Sequence, residues 1–413
     1  MRRLARDVAT LVFSQSYTRL VRLVFFVLIS RVLGPSELGM YAAIVAYVRI
    51  VWPLTPLGHS HLFVQHLSTR KSLPDPLFLS GFTYAGLLGL LAAALGTLGF
   101  RTLLHLPLAP GVLFLFLLGE VWTSALLDLI KGIFQGREQF FRVAGVIYGA
   151  FPTLRLLVVL VLWQLRGGGF HLAELILVLV PVQVLFVVLV LVLWVPRDLF
   201  VLRLALRQVR QGFPFSVSTM STEIYGNVDK VMLASFAAHA VVGVYTVAYR
   251  LVQYALFPLF SLLTVTYPRF FRAGSRSLRR SLGLALRILP LGVLYAVAVV
   301  GSLWFLGGWI VRVVFGPEYL SSVGLLRVLS LTLLFQAVNL VLGDALTGAG
   351  YQPLRTTAIV ATVLLNITLN LLLIPRYQGY GAAWATVLSE AGMLVLLLGI
   401  IGYLLRPSAR GTG

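Results

Sequence analysis

Apolar residues along this chain come in runs of about twenty, separated by short polar breaks rich in arginine. A helix needs about that many residues to cross roughly 30 Å of hydrocarbon, so each run reads as one membrane span. The breaks place spans at about 8–33, 36–58, 77–100, 109–131, 140–163, 171–195, 213–236, 240–267, 284–310, 321–347, 355–374 and 380–404. A β-barrel would need alternating segments of about ten residues. Blocks such as Leu175–Val195 and Val363–Ile374 do not alternate. The expected fold class is therefore an all-α polytopic membrane protein of about 12 transmembrane helices.

The first run, Val8 to Leu33, carries Arg19 and Arg22 near its middle. At the helical period Gln15, Arg19, Arg22, Phe26 and Ser30 share one stripe. An arginine at the centre of a span costs roughly 2.5–3.5 kcal/mol on insertion scales, so two on one face must look into water, a partner or a ligand. The basic start, Arg2, Arg3 and Arg6, resembles a signal peptide. The run behind it is too long and has no small-residue cleavage site, which predicts an uncleaved first helix.

The second half of the chain repeats the first. Gly39-Met40-Tyr41 returns as Gly243-Val244-Tyr245, each ahead of a proline, Pro53 or Pro258. Asp128-Leu129-Ile130-Lys131-Gly132 returns loosely as Asp344-Ala345-Leu346-Thr347-Gly348, where the fourth span of each half ends. Two six-helix lobes, 1–200 and 201–413, are expected around a central cavity, joined by a basic interfacial helix over about 196–212 that carries Arg203, Arg207 and Arg210.

Composition sharpens this picture. Of 413 residues, 59% are hydrophobic and 11% charged, against about 25% charged in a soluble domain. With the N-terminus inside, 21 basic residues flank inner segments and four (Arg101, Arg166, Arg312 and Arg376) lie in outer loops. That bias predicts cytoplasmic N- and C-termini and assigns most of the +20 charge to topology, not to nucleic acid. Zero cysteines exclude disulfides and thiolate metal sites. No Walker loop, dinucleotide fingerprint or nucleophile elbow is present, so neither a cofactor nor enzymatic catalysis is expected.

The chemistry lies in charges within spans. Arg31 sits near an outer boundary, where it can snorkel; Arg155 and Arg327 are also intramembrane. Arg49 and Arg250 lie in the second spans of the two halves. Arg19, Arg22, Arg49 and Arg250 serve either as internal salt bridges or as a phosphate site, and arginine's planar fork suits phosphate. Six acids, Glu120, Asp128, Glu223, Asp229, Asp344 and Glu390, are few and scattered, which favours an anionic ligand. Glu223, Asn227 and Lys230, with Asp229 adjacent, form either a static network or an ion-coupling group. Glu120, Ser124 and Asp128 make a second polar face and add two candidates for ion coupling. Gln336 with Asn339, and Asn366 with Asn370, read as interhelical hydrogen bonds ahead of sugar contacts. His59, His61 and His66 lack an acidic neighbour, so no metal site is expected. Ala85, Gly89 and Ala93 mark close helix packing.

The run Ser30-Arg31-Val32-Leu33-Gly34-Pro35-Ser36-Glu37-Leu38-Gly39-Met40-Tyr41 resembles the Wzx-type polysaccharide flippases of the multidrug/oligosaccharidyl-lipid/polysaccharide exporter superfamily. So do Asn227-Val228-Asp229-Lys230, Val242-Gly243-Val244-Tyr245 and Ala248-Tyr249-Arg250-Leu251. The resemblance implies a V-shaped transporter in a bacterial or archaeal plasma membrane that turns an undecaprenyl-diphosphate-linked oligosaccharide outward through a cationic cavity. Related lipid II flippases use arginines of early helices, and Arg19, Arg22 and Arg49 are the similar positions; Lys230 joins them as a substrate-binding candidate. Fourteen spans are usual in those flippases, against twelve here. The partners implied are the lipid-linked oligosaccharide, membrane lipid, a proton or sodium counter-ion and glycan polymerase machinery. The alternatives are a small-molecule exporter of the same superfamily, against which the cationic interior argues, and a membrane glycosyl polymerase or ligase, for which no large external loop is present.

Overall fold

The computed structural model describes residues 2–70, 75–104, 106–194 and 206–405. Among these residues there is no strand, as the run lengths predict. The helices fall into two compact units, residues 1–235 and 236–413. Nine stretches among the described residues are long and apolar enough to cross a membrane.

The first unit begins with α1 (Arg2–Val51), which breaks at Gly34, where φ is 68° and ψ 174°. Glycine tolerates that left-handed backbone, and Pro35 behind it has no N–H to continue the helical ladder. One 45-residue apolar stretch, Thr10–Leu54, thus contains two helical arms. There follow α2 (His59–Arg70), α3 (Asp75–Thr102) and α4 (Pro110–Gly136). Next come the short α5 (Phe140–Arg142), a π-helical segment Val143–Ala150, α6 (Phe151–Leu165), α7 (Leu172–Trp194) and α8 (Leu206–Phe236). The π turns lead directly into Pro152, whose ring crowds the carbonyl four residues back; widening the helix there relieves the clash.

The second unit holds α9 (His239–Ala255), α10 (Phe257–Gly274), α11 (Leu278–Val314), α12 (Ser322–Ser330), α13 (Thr332–Gly348) and α14 (Gln352–Leu405). The last breaks at Gln378, three residues after Pro375, into two arms. The stretch expected as a seventh span, 213–236, is helical within α8 but is not among the nine apolar ones. Its polar residues lower its hydropathy, and three of them, Ser216, Asp229 and Lys230, are buried. The linking helix expected over 196–212 falls largely outside the described residues, Arg203 included.

Each unit is built around the fourth span of its sequence half, α4 or α13. In the first, α4 packs against α1, α2, α3 and α7; in the second, α13 packs against α10, α11, α12 and α14. The glycines of the repeated motif explain how the helices approach. A Cβ on Gly132 would lie 2.5 Å from the Ser60 carbonyl oxygen of α2, and one on Gly348 would lie 2.5 Å from the Phe270 backbone of α10. Both contacts join the fourth span to the helix that follows the second, so the repeat is one of packing as well as sequence. On α3, Ala85 and Ala93 are fully buried and Gly89 admits the Trp122 ring, the close packing expected of that stripe.

Candidate functional site

The predicted arginine stripe divides along its length. Gln15, Arg19 and Arg22 are exposed, whereas Phe26 and Ser30 are buried, so only the part nearer the N-terminus is accessible. Tyr17, half a turn from Gln15 and Arg19, hydrogen-bonds Thr153 Oγ1 at 2.8 Å, and the Thr18 hydroxyl donates to the Tyr148 carbonyl. These bonds fasten α1 to α6 and the π turns.

Arg49, on the second arm of α1, is half-buried and lies 4.0 Å from Glu223 of α8. The Asn227 amide donates to the same carboxylate at 3.0 Å, the i, i+4 relation expected from sequence. Lys230 takes no part in it. Its ammonium donates to Asp229 at 2.9 Å and to the Gly226 carbonyl at 2.9 Å, with both charged side chains buried. The polar face of α8 therefore holds two groups, one half-exposed and shared with α1, the other enclosed.

Glu120 sits in a tighter arrangement. Arg155 of α6 grips both its oxygens, at 3.0 and 2.9 Å, and the Gln183 amide of α7 donates to it at 3.2 Å. The guanidinium also donates to the Tyr41 hydroxyl at 3.3 Å and lies over the Phe25 and Phe151 rings. Four helices thus meet on one bidentate ion pair. The sequence marks both residues as intramembrane charges but does not pair them, because α4 and α6 meet only in the folded unit. Asp128 holds Lys131 at 3.3 Å on its own helix.

In the second unit, Arg250 is half-buried on α9, one residue beyond Tyr249, whose ring stacks on Tyr245. Asp344 binds Arg355 at 3.1 Å. Glu390, buried on the second arm of α14, accepts from Gln336 at 2.7 Å and from Asn339 at 2.9 Å. Asn366 donates to Ser389 on the other arm of α14, the interhelical bond expected of it, and accepts from Asn370 one turn along its own arm. Gln336 stands eight residues before Asp344, as Glu120 stands eight before Asp128. Each half of the sequence therefore ties its fourth span to its sixth by an amide-to-carboxylate bond, with donor and acceptor exchanged between the halves.

The three histidines near the second span are spent separately. His59 bonds the Pro56 carbonyl and Ser80, His66 faces the Leu62 carbonyl, and His61 stacks on Phe215. Among the described residues no cluster of acids and histidines has the makings of a metal site. Just ahead of the apolar stretch Leu172–Trp194, the His171 ring contacts Glu37 at 2.8 Å, which raises the histidine's pKa above its ordinary value, and Glu37 also accepts from the backbone N–H of Leu172. Glu174 completes the corner by accepting the His171 N–H and pairing with Arg166 at 2.7 Å.

The family described as polysaccharide biosynthesis protein matches residues 4–273. A probable low-salt glycan biosynthesis flippase of Haloferax volcanii is 28% identical over 182 residues, 44% of this chain and 38% of that protein. An uncharacterised membrane protein of Methanocaldococcus jannaschii is 24% identical over 197 residues, 48% of this chain and 45% of that protein. The matched regions thus span less than half the length of either relative. The fold is that of two solved transporters. An inward-facing multidrug resistance transporter of the multidrug/oligosaccharidyl-lipid/polysaccharide exporter superfamily aligns over 95% of this chain and 96% of its own, with a TM-score of 0.75 and 14% identity. A lipid II flippase in an inward closed conformation aligns over 95% and 87%, with a TM-score of 0.74 and 14% identity.

Proposed function

Because the chain belongs to the polysaccharide biosynthesis protein family, we propose that it is a flippase for a lipid-linked glycan. The substrate of this reading is an undecaprenyl-diphosphate-linked oligosaccharide, carried from the cytoplasmic to the outer leaflet by alternating access. One observation carries it: Arg19 and Arg22 are exposed side by side in the middle of an apolar span. A cation there is costly in lipid and useful to a travelling phosphate. Arg49, half-exposed farther along α1, Arg250 of α9 and Lys230 of α8 are the other residues proposed to bind the diphosphate.

The direction of transport has a physical source. With the cell interior negative, moving about two negative charges outward is favourable by roughly 4–5 kcal/mol per 100 mV. Protonation of Glu223 would weaken its hold on Arg49, which makes this half-exposed pair the proposed coupling point. Asp229, Asp128 and Glu120 are already bound to Lys230, Lys131 and Arg155, and serve this reading less well. The likeness to a multidrug transporter supports a second reading, export of a small molecule, in the same fold.

The test is to substitute Arg19, Arg22, Arg49 and Arg250 singly by alanine and to follow a labelled undecaprenyl-diphosphate glycan across reconstituted vesicles. Losses of at least tenfold at Arg19 or Arg22, with protein folded and inserted, are expected. Unchanged transport in all four would remove the assignment, and transport of a small cation in their place would favour the second reading.

A further inference from the structure

The end of α10, the turn behind it and the start of α11 flank an open cavity of about 570 Å³ lined by Arg269, Arg272, Arg276, Arg280 and Arg287, with Ala273, Gly283 and Leu284 between them. Arg269 and Arg272 lie at i and i+3 on α10, Arg276 follows in the turn behind it, and Arg280 and Arg287 stand at i and i+7 on α11, so one face of each helix and the turn between them meet in the same space. All five side chains are exposed. No aspartate or glutamate occurs in the sequence from Lys230 to Pro317.

A count of positive charges at an inner loop follows from topology alone. Their convergence does not. Like charges three and four residues apart on a helix repel, and Arg280, in the first turn of α11, faces the positive end of that helix's dipole. An arrangement that is unfavourable in isolation is stabilised by an anion placed among the guanidinium groups. The site has room for one: a Cβ built on Gly283 meets nothing within 4 Å. Phe271, Leu286 and Leu291, exposed on the same two helices, give an acyl chain an apolar surface beside the charges.

We propose that this arginine cavity binds the phosphate of a lipid headgroup. Arginine forks take phosphate oxygens two at a time, and the positive-inside bias puts this helical hairpin at the depth of the inner leaflet's phosphates. The same chemistry has two sources, the anionic phospholipids of the leaflet and a diphosphate-linked carrier lipid. The inference stands apart from the transport reading, since it concerns α10, α11 and the turn between them alone and is read out by binding.

The experiment uses the full chain in phosphatidylcholine nanodiscs, with native mass spectrometry and a fluorescent-lipid titration against phosphatidylglycerol and undecaprenyl diphosphate. Wild type is expected to bind at least one of them in preference to phosphatidylcholine. Preference for the diphosphate alone assigns the carrier as the source; equal binding assigns lipid phosphate in general. The Arg272→Gln/Arg276→Gln/Arg280→Gln variant should bind at least tenfold more weakly. The corresponding triple lysine variant keeps the charge and the topology but loses the forks, and should bind several-fold more weakly. Gly283→Glu puts a carboxylate into the space without removing an arginine and should also weaken binding. These last two variants decide the matter if the glutamine variant does not insert. No lipid preference in wild type, or wild-type binding by the lysine and Gly283→Glu variants, would overturn the proposal.

Discussion

Replacing Arg155 by methionine should damage the first unit more than removing any other single polar side chain in it. The change leaves the Glu120 carboxylate buried with only the Gln183 amide as its remaining described donor. At 2.9 Å the pair's gross attraction is about 6 kcal/mol at an effective dielectric of 20. Desolvation has already consumed part of that, and breaking a buried pair by removing one partner costs about 3–5 kcal/mol. The amide cannot make up the loss, since interhelical hydrogen bonds in membranes average about 0.6 kcal/mol and reach about 1.7. Glu120→Gln should cost less, about 1–3 kcal/mol, because Arg155 keeps the Tyr41 hydroxyl and two ring faces. The assay is reversible SDS unfolding in mixed micelles, read by tryptophan fluorescence, for wild type, both single variants and the double variant. The double variant should be less destabilised than the sum of the singles by at least about 1.5 kcal/mol, a coupling expected of contacting residues. An Arg155→Met cost below about 1 kcal/mol, or strict additivity with Glu120→Gln, would refute the claim that this pair holds α1, α4, α6 and α7 together.

Gly132→Ala and Gly348→Ala each force a methyl against backbone 2.5 Å away and should cost about 1–3 kcal/mol in the same assay, with similar values in the two units if the repeat is one of packing. The Arg49–Glu223 pair is long and partly exposed, so Arg49→Ala should change stability by less than about 1 kcal/mol, and a transport defect in that variant would then report on function. His171 is fully exposed and its pKa is raised by Glu37, so the contact stabilises the folded state below the unfolded pKa of about 6.5 and is lost as pH rises through the folded value. Apparent melting temperature should therefore fall from acidic towards alkaline pH more in wild type than in His171→Gln; parallel curves would show that the contact is without effect.

Periodicity and run length alone determined that this chain is helical and crosses the membrane repeatedly, since backbone in hydrocarbon must satisfy its hydrogen bonds within each segment. The repeated Asp128–Gly132 and Asp344–Gly348 motifs were visible as letters, and Gly34-Pro35 as a place where a helix would break. Local partners on one helix, such as Asn227 with Glu223, were also legible, because helical spacing decides them. Tertiary structure alone decided which distant charges meet. It gave Glu120 to Arg155, paired Lys230 with its neighbour Asp229, and gathered the arginines of α10, α11 and the turn between them, which in sequence read only as topology, around one cavity. Spacing along a chain fixes which residues share a face, but which face meets which is settled by packing among helices far apart in sequence.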